Sequence, residues 1–179
     1  MKHAYINDQI NAFKSAVDVS NKIVGFTGAG ISTESGIPDY RSKGGIWYKF
    51  QPVYFEEFVS DKKKRLLYWQ RKQELWSDLS TASPNTGHMF FKRLNDEGKL
   101  AGLITQNIDG LHEKSGLAKE SIINLHGTNL EVACIDCGFT IPSEEVFDGL
   151  DLEKGVPICQ KCKGLMKPAT ISFGQQLRV

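Results

Sequence analysis

The sequence predicts an α/β fold built on a parallel β-sheet, with a small zinc-binding module inserted before the last strand. Short apolar runs rich in β-branched residues alternate with stretches of helical periodicity, which is typical of strands joined by crossover helices. The first apolar run ends in the glycine turn Gly28-Ala29-Gly30. Four cysteines, arranged in two pairs, precede the last predicted strand.

The chain opens with a predicted helix, followed by the strands of the sheet. One apolar stripe recurs at spacings of four, three and four residues, through Ile6, Ile10, Phe13 and Val17, which indicates one face of a helix. Buried strands are predicted at 23–27, 103–105, 122–125 and 169–173.

Two helical regions are predicted between the first two strands. Residues 46–80 are aromatic and charged and predict helices with connecting loops, with many of the aromatic side chains in the core. The break at Ser83-Pro84 precedes a helix that carries Phe90, Phe91 and Leu94 and stops near Gly98.

The cysteines have the spacing of a metal site. They occur as two C-x-x-C pairs with 21 residues between them: Cys134, Cys137, Cys159 and Cys162. Each pair places two thiolates on one side of a tight turn, and two such turns complete the closed tetrahedron of a structural zinc ion. Two disulfides or four buried thiols are the alternative.

Composition excludes several classes of function. The net charge is +1, with 24% charged and 40% hydrophobic residues, so nothing indicates a nucleic-acid partner. The densest basic run, Lys62-Lys63-Lys64-Arg65, leads into Leu66 and Leu67 and is typical of a solvated helix face. No stretch approaches the roughly 20 apolar residues of a membrane span. Neither a secretory signal nor a transit peptide is recognisable at the amino terminus, so we expect an intracellular, reducing, cytoplasmic location.

The glycine turn is a first indication of function. In Gly28-Ala29-Gly30-Ile31-Ser32-Thr33 a predicted strand leads into two glycines spaced to admit a pyrophosphate at a helix amino terminus. Thr33 replaces the third glycine of the usual fingerprint, and no acidic residue ends a second strand about 20 positions on. Nucleotide binding and a plain tight turn both remain open from this pattern.

Five motifs in register resemble those of the sirtuins. They are Gly28-Ala29-Gly30-Ile31-Ser32, Gly36-Ile37-Pro38-Asp39-Tyr40-Arg41, Thr105-Gln106-Asn107-Ile108-Asp109, Leu125-His126-Gly127 and the paired C-x-x-C. The resemblance covers essentially the whole chain. Tyr68-Trp69-x-Arg71 with Trp76 is most similar to the class II branch of that family.

The resemblance implies a division of the chain into three parts. A Rossmann-like NAD-binding domain would comprise residues 1–45, 84–130 and 168–179, with its sheet incomplete at the carboxyl-terminal end. Residues 46–83 would form a helical cofactor-loop and acyl-pocket region, and residues 131–167 a zinc-ribbon module. Sirtuins are NAD-dependent protein lysine deacylases, so NAD, a structural Zn²⁺ and acylated lysines of protein substrates are the implied ligands.

The resemblance also implies roles for individual residues. The backbone of Gly28, Ala29 and Gly30 and the hydroxyls of Ser32 and Thr33 would meet the pyrophosphate of NAD. Asp39, Tyr40 and Arg41 would close over the nicotinamide ribose, and Gln106, Asn107, Ile108 and Asp109 would line the nicotinamide pocket. The catalytic residues would be His126 and Asn107, with His126 as the general base, since histidine side chains titrate close to neutral pH. His88 and His112 are interpreted as structural.

Substrate contacts are implied at two places. Phe173 and Gly174 resemble the strand that pairs with the substrate peptide by β-augmentation, and Gln175 stands where the family has a glutamate. Tyr68 and Arg71 lie three residues apart and would share one helix face, where the arginine could bind a terminal carboxylate of an acyl group. An exposed arginine beside a core tyrosine is the alternative.

The chain stops where sirtuins continue through further strands that bind the adenosine half of NAD. A shortened sheet would expose an apolar edge strand, which favours pairing with another chain and hence self-association. The expected function is transfer of an acyl group from lysine to ADP-ribose with release of nicotinamide. A protein ADP-ribosyltransferase and an inactive zinc-bearing fragment are the alternatives.

Overall fold

The computed structural model describes residues 2–40 and 42–177. Its helices and strands in chain order are α1 (Lys2–Val19), β1 (Ile23–Thr27), a 3₁₀ helix (Ala29–Ser35), α2 (Ile46–Lys49), α3 (Phe55–Ser60), α4 (Lys62–Thr81), α5 (Thr86–Asp96), β2 (Leu100–Thr105), α6 (Leu111–Lys114), a second 3₁₀ turn (Lys119–Ser121), β3 (Ile122–Asn124), β4 (Gly127–Cys134), β5 (Thr140–Pro142), α7 (Ser143–Asp148) and β6 (Met166–Thr170).

Two three-stranded sheets organise these elements. The first is parallel, in the order β1-β2-β3, and its register places Thr27 beside Thr105 and Thr105 beside Asn124. The second is antiparallel, in the order β5-β4-β6. The predicted α/β class with a parallel sheet and a separate cysteine module is therefore confirmed. The boundaries drawn between the three predicted domains stay a prediction.

The last predicted strand differs from the structure. It was expected at 169–173 in the parallel sheet, but β6 covers Met166–Thr170 and pairs antiparallel with β4. The chain enters the cysteine module along β4 and leaves it along β6. The two cysteine pairs cluster, and this clustering places β4 and β6 side by side in antiparallel orientation. Pro168, which cannot donate a ladder hydrogen bond, is tolerated because β6 is an edge strand of its sheet.

The larger hydrophobic core joins the helical region to the cysteine module. Phe58 of α3, Trp69 of α4 and Val132 of β4 are fully buried in it. Trp76 of α4 stacks on Phe147 of α7 with ring centres 4.5 Å apart. The prediction that much of the aromatic content of residues 46–80 lies in the core is thus confirmed for Trp69 and Tyr68, whereas Tyr48 and Tyr54 are exposed.

One face of the parallel sheet is apolar and exposed. Val24 and Phe26 of β1 and Ile123 of β3 leave 65%, 61% and 58% of their surface in solvent. The predicted opening helix is present as α1, but its apolar stripe is also exposed: Ile6, Ile10 and Phe13 are 46–58% accessible. Parallel sheets are usually covered by helices on both faces. In the described residues, no helix covers the face formed by Val24, Phe26 and Ile123.

Among the described residues, no helix combines the length and the apolar character needed to cross a lipid bilayer.

Candidate active site

The loops that follow the three parallel strands meet at one edge of the sheet. β1 leads into the glycine turn, β2 into residues 106–110 and β3 into Leu125 and His126. Because the carboxyl ends of parallel strands lie side by side, side chains from these loops converge there, which is the usual place for a ligand in an open α/β sheet.

The glycine turn has room for a ligand at the backbone. Gly28 is extended and precedes the 3₁₀ helix, and Gly30 is exposed, with no atom within 4 Å of the position that a Cβ would take. The predicted helix after this turn is present only as a short 3₁₀ segment. Thr33 is exposed and its hydroxyl donates to the Gly30 carbonyl at 3.0 Å.

Four side chains form a buried polar cluster beside this turn: Ser32, His88, Asn107 and Asp109. The Ser32 hydroxyl donates to Asp109 Oδ2 at 2.7 Å and accepts from Asn107 Nδ2 at 3.0 Å. His88 Nε2 lies 3.5 Å from the same hydroxyl. The backbone N–H of Asn85 lies 3.2 Å from His88 Nδ1, so the proton of the neutral ring sits on Nε2 and points towards Ser32.

A second hydrogen-bonded chain fixes the backbone of Asn107. The Thr27 hydroxyl donates to Thr105 Oγ1 at 2.8 Å and lies 3.0 Å from His112 Nε2. Thr105 Oγ1 in turn accepts the backbone N–H of Asn107 at 3.0 Å. The side chain and the backbone of Asn107 are therefore held by two separate sets of partners, and the structural role of His112 stays a prediction.

The two buried histidines are held in the neutral form. Desolvation, with a smaller contribution from nearby His88, lowers the pKa of His112 to about 4, while Asp109 acts in the opposite direction. Desolvation also lowers the pKa of His88. Their rings lie 4.8 Å apart, and two cations at that distance would repel each other.

His126 has one ring nitrogen fixed and the other available. Its Nδ1 donates to the backbone carbonyl of Gln106 at 3.0 Å, which leaves the lone pair on Nε2, the arrangement of a general base. The His126 carbonyl accepts from Ile171 N–H at 2.8 Å. Gly127 must be glycine: its φ is +73°, and a Cβ there would lie 2.0 Å from the Ala169 carbonyl oxygen.

The predicted ribose loop is only partly described. The Asp39 carboxylate accepts from Ser42 N–H at 2.8 Å and from the Ser42 hydroxyl. Burial raises the pKa of Tyr40 to about 12, and the charge of Asp109 adds to this shift. Tyr40 therefore lies close enough to the polar cluster to feel its carboxylate. Arg41 lies outside the described residues.

The four cysteines converge as predicted. Their sulfur atoms all lie within 4.8 Å of one another, with Cys134 and Cys159 buried and Cys137 and Cys162 exposed. All four are free thiols, so the disulfide alternative does not describe this structure. Four sulfurs this close together fit a structural zinc ion, which would hold β4, β6 and the intervening loops together.

The residues predicted to meet the substrate lie along one side of the helical region. The Phe173 carbonyl accepts from Phe55 N–H at 2.9 Å, and the Phe173 ring contacts Tyr54, with centres 5.9 Å apart. Gly174 is exposed with a φ of +78°. Tyr68 is buried, whereas Arg71 donates to the Gln51 carbonyl and lies over the Phe50 ring at 5.5 Å.

Sequence reasoning missed several polar residues around the site. Thr27 and Thr105 end two strands and lie opposite each other in the register. Aligning the ends of the two predicted strands would have brought these threonines together. Lys72 was also missed, although its position four residues after Tyr68 puts it on the same helix face. Asn129 carried no sequence signal.

The fold and the site define an α/β protein with a Rossmann-like sheet, a polar pocket at its carboxyl edge and a cysteine-clustered module. The Sir2 family model matches residues 28–179, and this chain belongs to the Sir2 family, the sirtuins.

Curated relatives and solved structures agree with this assignment. The chain is 40% identical over 171 residues to an NAD-dependent protein deacetylase of Thermodesulfovibrio yellowstonii, with 96% of this chain and 66% of the relative covered. It is 44% identical over 155 residues to NAD-dependent protein deacetylase 1 of Bradyrhizobium diazoefficiens, with 87% and 61% covered. A Sir2 variant solved with a deacetylated peptide and 3'-O-acetyl ADP-ribose superposes with a TM-score of 0.79 at 32% identity, over 94% of this chain and 67% of that one. The chain thus spans slightly less than two thirds of the length of these two curated relatives.

Proposed function

We propose that this chain carries the catalytic centre of an NAD-dependent protein lysine deacylase. The observation that carries the proposal is the arrangement of His126, whose Nδ1 is held by the Gln106 carbonyl at 3.0 Å while Nε2 keeps its lone pair. The same loop continues into Asn107 and Asp109, which are buried and hydrogen-bonded to Ser32. A base of fixed tautomer beside preorganised amide and carboxylate groups suits proton transfer in a closed pocket.

The residues around the glycine turn fit a dinucleotide. Gly28, Ala29 and Gly30 would meet the pyrophosphate, with Ser32 and Thr33 beside them. NAD would supply a ribose carbon that accepts the acyl oxygen as nicotinamide leaves. Asn107 and Asp109 would orient the carboxamide of nicotinamide, and Gln106 and Ile108 would also line the nicotinamide pocket. Asp39, Tyr40 and Arg41 would close over the ribose.

His126 would then act on a proton. Its Nε2 would accept the proton of a ribose hydroxyl, and the ring would stay oriented because Nδ1–H donates to a backbone carbonyl. Water would then release the lysine, so the products of acyl-lysine, NAD and water would be free lysine, nicotinamide and an acylated ADP-ribose. The zinc ion would hold the module together and take no part in the chemistry.

The acylated peptide would bind along residues 171–174. Ile171 is already tied to His126 and Phe173 to α3, so this segment runs between the base and the helical region. Phe173 and Gly174 are exposed, and this segment could pair with an extended peptide by β-augmentation.

Mass spectrometry of the zinc-loaded protein with NAD and a panel of acyl-lysine peptides tests the proposal. We expect acylated ADP-ribose from the parent sequence and none from His126→Ala. ADP-ribose attached to protein without loss of the acyl group would favour the transferase alternative instead. No product from a folded, zinc-bound chain would favour the inactive-fragment alternative.

Two further proposals concern the setting of the protein. An intracellular, reducing, cytoplasmic location would keep the four cysteines available to zinc. Self-association would use the free edge of β1 and the adjacent apolar face formed by Val24, Phe26 and Ile123. Sedimentation over a range of protein concentrations tests the second proposal.

A further inference from the structure

Lys167 is a buried lysine in the last strand of the cysteine module. It lies in β6 opposite Ala133 of β4, and only 2% of its surface is exposed. Its Nζ donates to the Pro168 carbonyl at 3.1 Å and also to the Thr170 carbonyl. Burial of an ammonium group is costly unless hydrogen bonds compensate for the lost water, so these backbone contacts keep the side chain in one place.

The Thr170 carbonyl belongs to the same peptide group as the Ile171 N–H. That N–H donates to the His126 carbonyl at 2.8 Å. One planar peptide group is therefore held on both sides, by Lys167 at its oxygen and by His126 at its nitrogen. A cationic donor at the oxygen polarises the peptide group and strengthens the hydrogen bond that the N–H makes.

Regular strand pairing is interrupted next to this peptide group. Val132 of β4 lies opposite Pro168, and Gly127 lies opposite Thr170, with a shift of register between the two pairs. An irregular ladder fixes the end of a strand less firmly than a continuous one. The Lys167 side chain reaches the Thr170 carbonyl along its own strand and so stabilises the end of β6 where the ladder is irregular.

The orientation of the His126 ring depends on the backbone on either side of it. Before the ring, Leu125 N–H donates to the Thr105 carbonyl at 2.9 Å, and after it the His126 carbonyl is held by Ile171. The residue is only partly buried, and its Nδ1 lies 3.0 Å from the Gln106 carbonyl oxygen. A displacement of about 1 Å would break this hydrogen bond, and the ring proton would no longer be confined to Nδ1.

We propose that Lys167 is a positioning residue for His126. Its ammonium group fixes the peptide group between Thr170 and Ile171, which holds the backbone of the base and thereby keeps the ring proton on Nδ1 and the lone pair on Nε2. Lys167 acts through the backbone and does not touch the reacting atoms. The effect on turnover rests on the deacylase function proposed above, whereas the tautomer of His126 is a property of the free protein.

The first test measures that tautomer by nitrogen-15 NMR of histidine-labelled, zinc-saturated protein without NAD. His126→Gln assigns the signals, and a pH of about 8.5 keeps the imidazole neutral. We expect the Nδ1–H form to predominate in the parent. Lys167→Met removes the donor, and it should shift the ratio of the two tautomers towards Nε2–H by about fivefold to tenfold, the size expected for one hydrogen bond.

The second test measures steady-state turnover of NAD and an acyl-lysine peptide. Lys167→Met should lower kcat by about tenfold or more and change KM for either substrate by less than about twofold, because the base is misplaced while the binding groups remain. Lys154→Met is the matched control. It removes an exposed lysine of the same module and should leave the tautomer and kcat unchanged.

A second variant covers poor folding of Lys167→Met. Lys167→Gln stays polar, but its side chain ends one bond short of Nζ, so it should shift the tautomer as the methionine does. Zinc content and near-ultraviolet circular dichroism establish which variants are folded. Loss of zinc and of tertiary structure in both would assign Lys167 to the stability of the module and overturn the positioning role.

The outcomes distinguish the positioning role from the proposed function. A parent-like tautomer in a folded Lys167 variant overturns the positioning role even when acylated ADP-ribose forms. An altered tautomer with unchanged kcat, or a raised KM with unchanged kcat, also overturns it. An altered tautomer in a protein whose parent yields no product contradicts the proposed function and leaves the positioning of His126 by Lys167 supported.

Discussion

The Ser32 hydroxyl donates to Asp109 Oδ2 at 2.7 Å, across 77 positions of sequence. One hydroxyl thereby joins the loop after β1 to the loop after β2, and it also accepts from the Asn107 amide. The geometry of the pocket depends on this bond, because Ser32 is the shared partner of both predicted nicotinamide contacts.

Replacing Ser32 by alanine should therefore disturb the pocket more than the removal of one surface hydroxyl. The Asp109 carboxylate is buried, and the loss of one partner should cost about 1–3 kcal/mol of unfolding free energy. We expect kcat/KM for NAD to fall by about tenfold or more. Urea denaturation and steady-state kinetics measure the two effects. Ser80→Ala, on an exposed helix surface, is the control; equal effects in the two variants would contradict the prediction.

The pH dependence of stability should reveal the buried His112. Its folded pKa of about 4 lies below the ordinary value of 6.5, so the unfolded chain binds more protons between these values. Stability is then lost as the pH falls from about 6.5 towards 4, by about 3 kcal/mol from this residue.

The substitution His112→Gln should reduce that loss. Denaturation of parent and variant at pH 7.5 and pH 5, both saturated with zinc, measures the difference, because effects shared by the two proteins cancel. A variant that loses as much stability as the parent between the two pH values would show that His112 is not the titrating group.

Lys72→Met should stabilise the protein at neutral pH. The folded pKa of about 8 lies below the ordinary value of 10.5, so the charged Lys72 side chain lowers the free energy of unfolding. This loss of stability is fully present below pH 8. The parent regains stability relative to the variant as the pH rises from 8 to about 10.5. The pH-dependent part should amount to about 3 kcal/mol.

Denaturation curves at pH 7 and pH 9.5 measure this difference. Lys63→Met, on the exposed side of α4, should show no comparable change between the two pH values. A Lys72 variant that is less stable than the parent at pH 7 would contradict the desolvation argument.

Much of the fold was predictable because it depends on local pattern. The run Ile23–Thr27 forms β1 with the predicted ends, since a strand between polar residues and a glycine turn has clear signals at both ends. The four cysteines converge as their spacing requires. The motifs that carry the family resemblance named Ser32, Asn107 and Asp109, but they did not predict the hydrogen bonds between them.

The remainder depends on tertiary structure. The direction and sheet of β6 follow from the closure of the cysteine module, which a one-dimensional pattern does not contain. The apolar stripe of α1 predicted a helix correctly, yet it did not reveal that the stripe is exposed. Lys72 was missed because a lysine is normally a surface residue, and only packing places it beside Tyr68 and Asn129.

Removal of zinc should change the environment of Trp76. Phe147, in α7 of the cysteine module, stacks on this ring at 4.5 Å, and the module depends on its metal for folding. We expect a strong chelator to shift tryptophan emission to longer wavelengths and to reduce near-ultraviolet circular dichroism. Cys137→Ser should resemble the chelated parent and respond little to chelator. Unchanged spectra after complete metal removal would show that the module is stable without zinc.

The exposed face of the parallel sheet should bind hydrophobic dyes. Phe26 is 61% exposed, so Phe26→Lys removes apolar surface from solvent at a stability cost below about 1 kcal/mol. We expect weaker dye fluorescence and a lower sedimentation coefficient at high protein concentration. Val19→Lys, at an exposed site on α1, is the control. Association that persists in the Phe26 variant would assign it to another surface.

One short stretch of backbone, residues 170–173, connects the cysteine module to His126 and to the helical region. Thr170 ends β6 of the cysteine module, Ile171 is bonded to His126, and Phe173 is bonded to Phe55 of α3. A tilt of the metal-bound module against the helices would therefore move Ile171, and with it the backbone carbonyl of His126 to which Ile171 N–H is bonded. A mutation far from the pocket, at the seam between Trp76 and Phe147, could in this way alter turnover without touching any reacting atom.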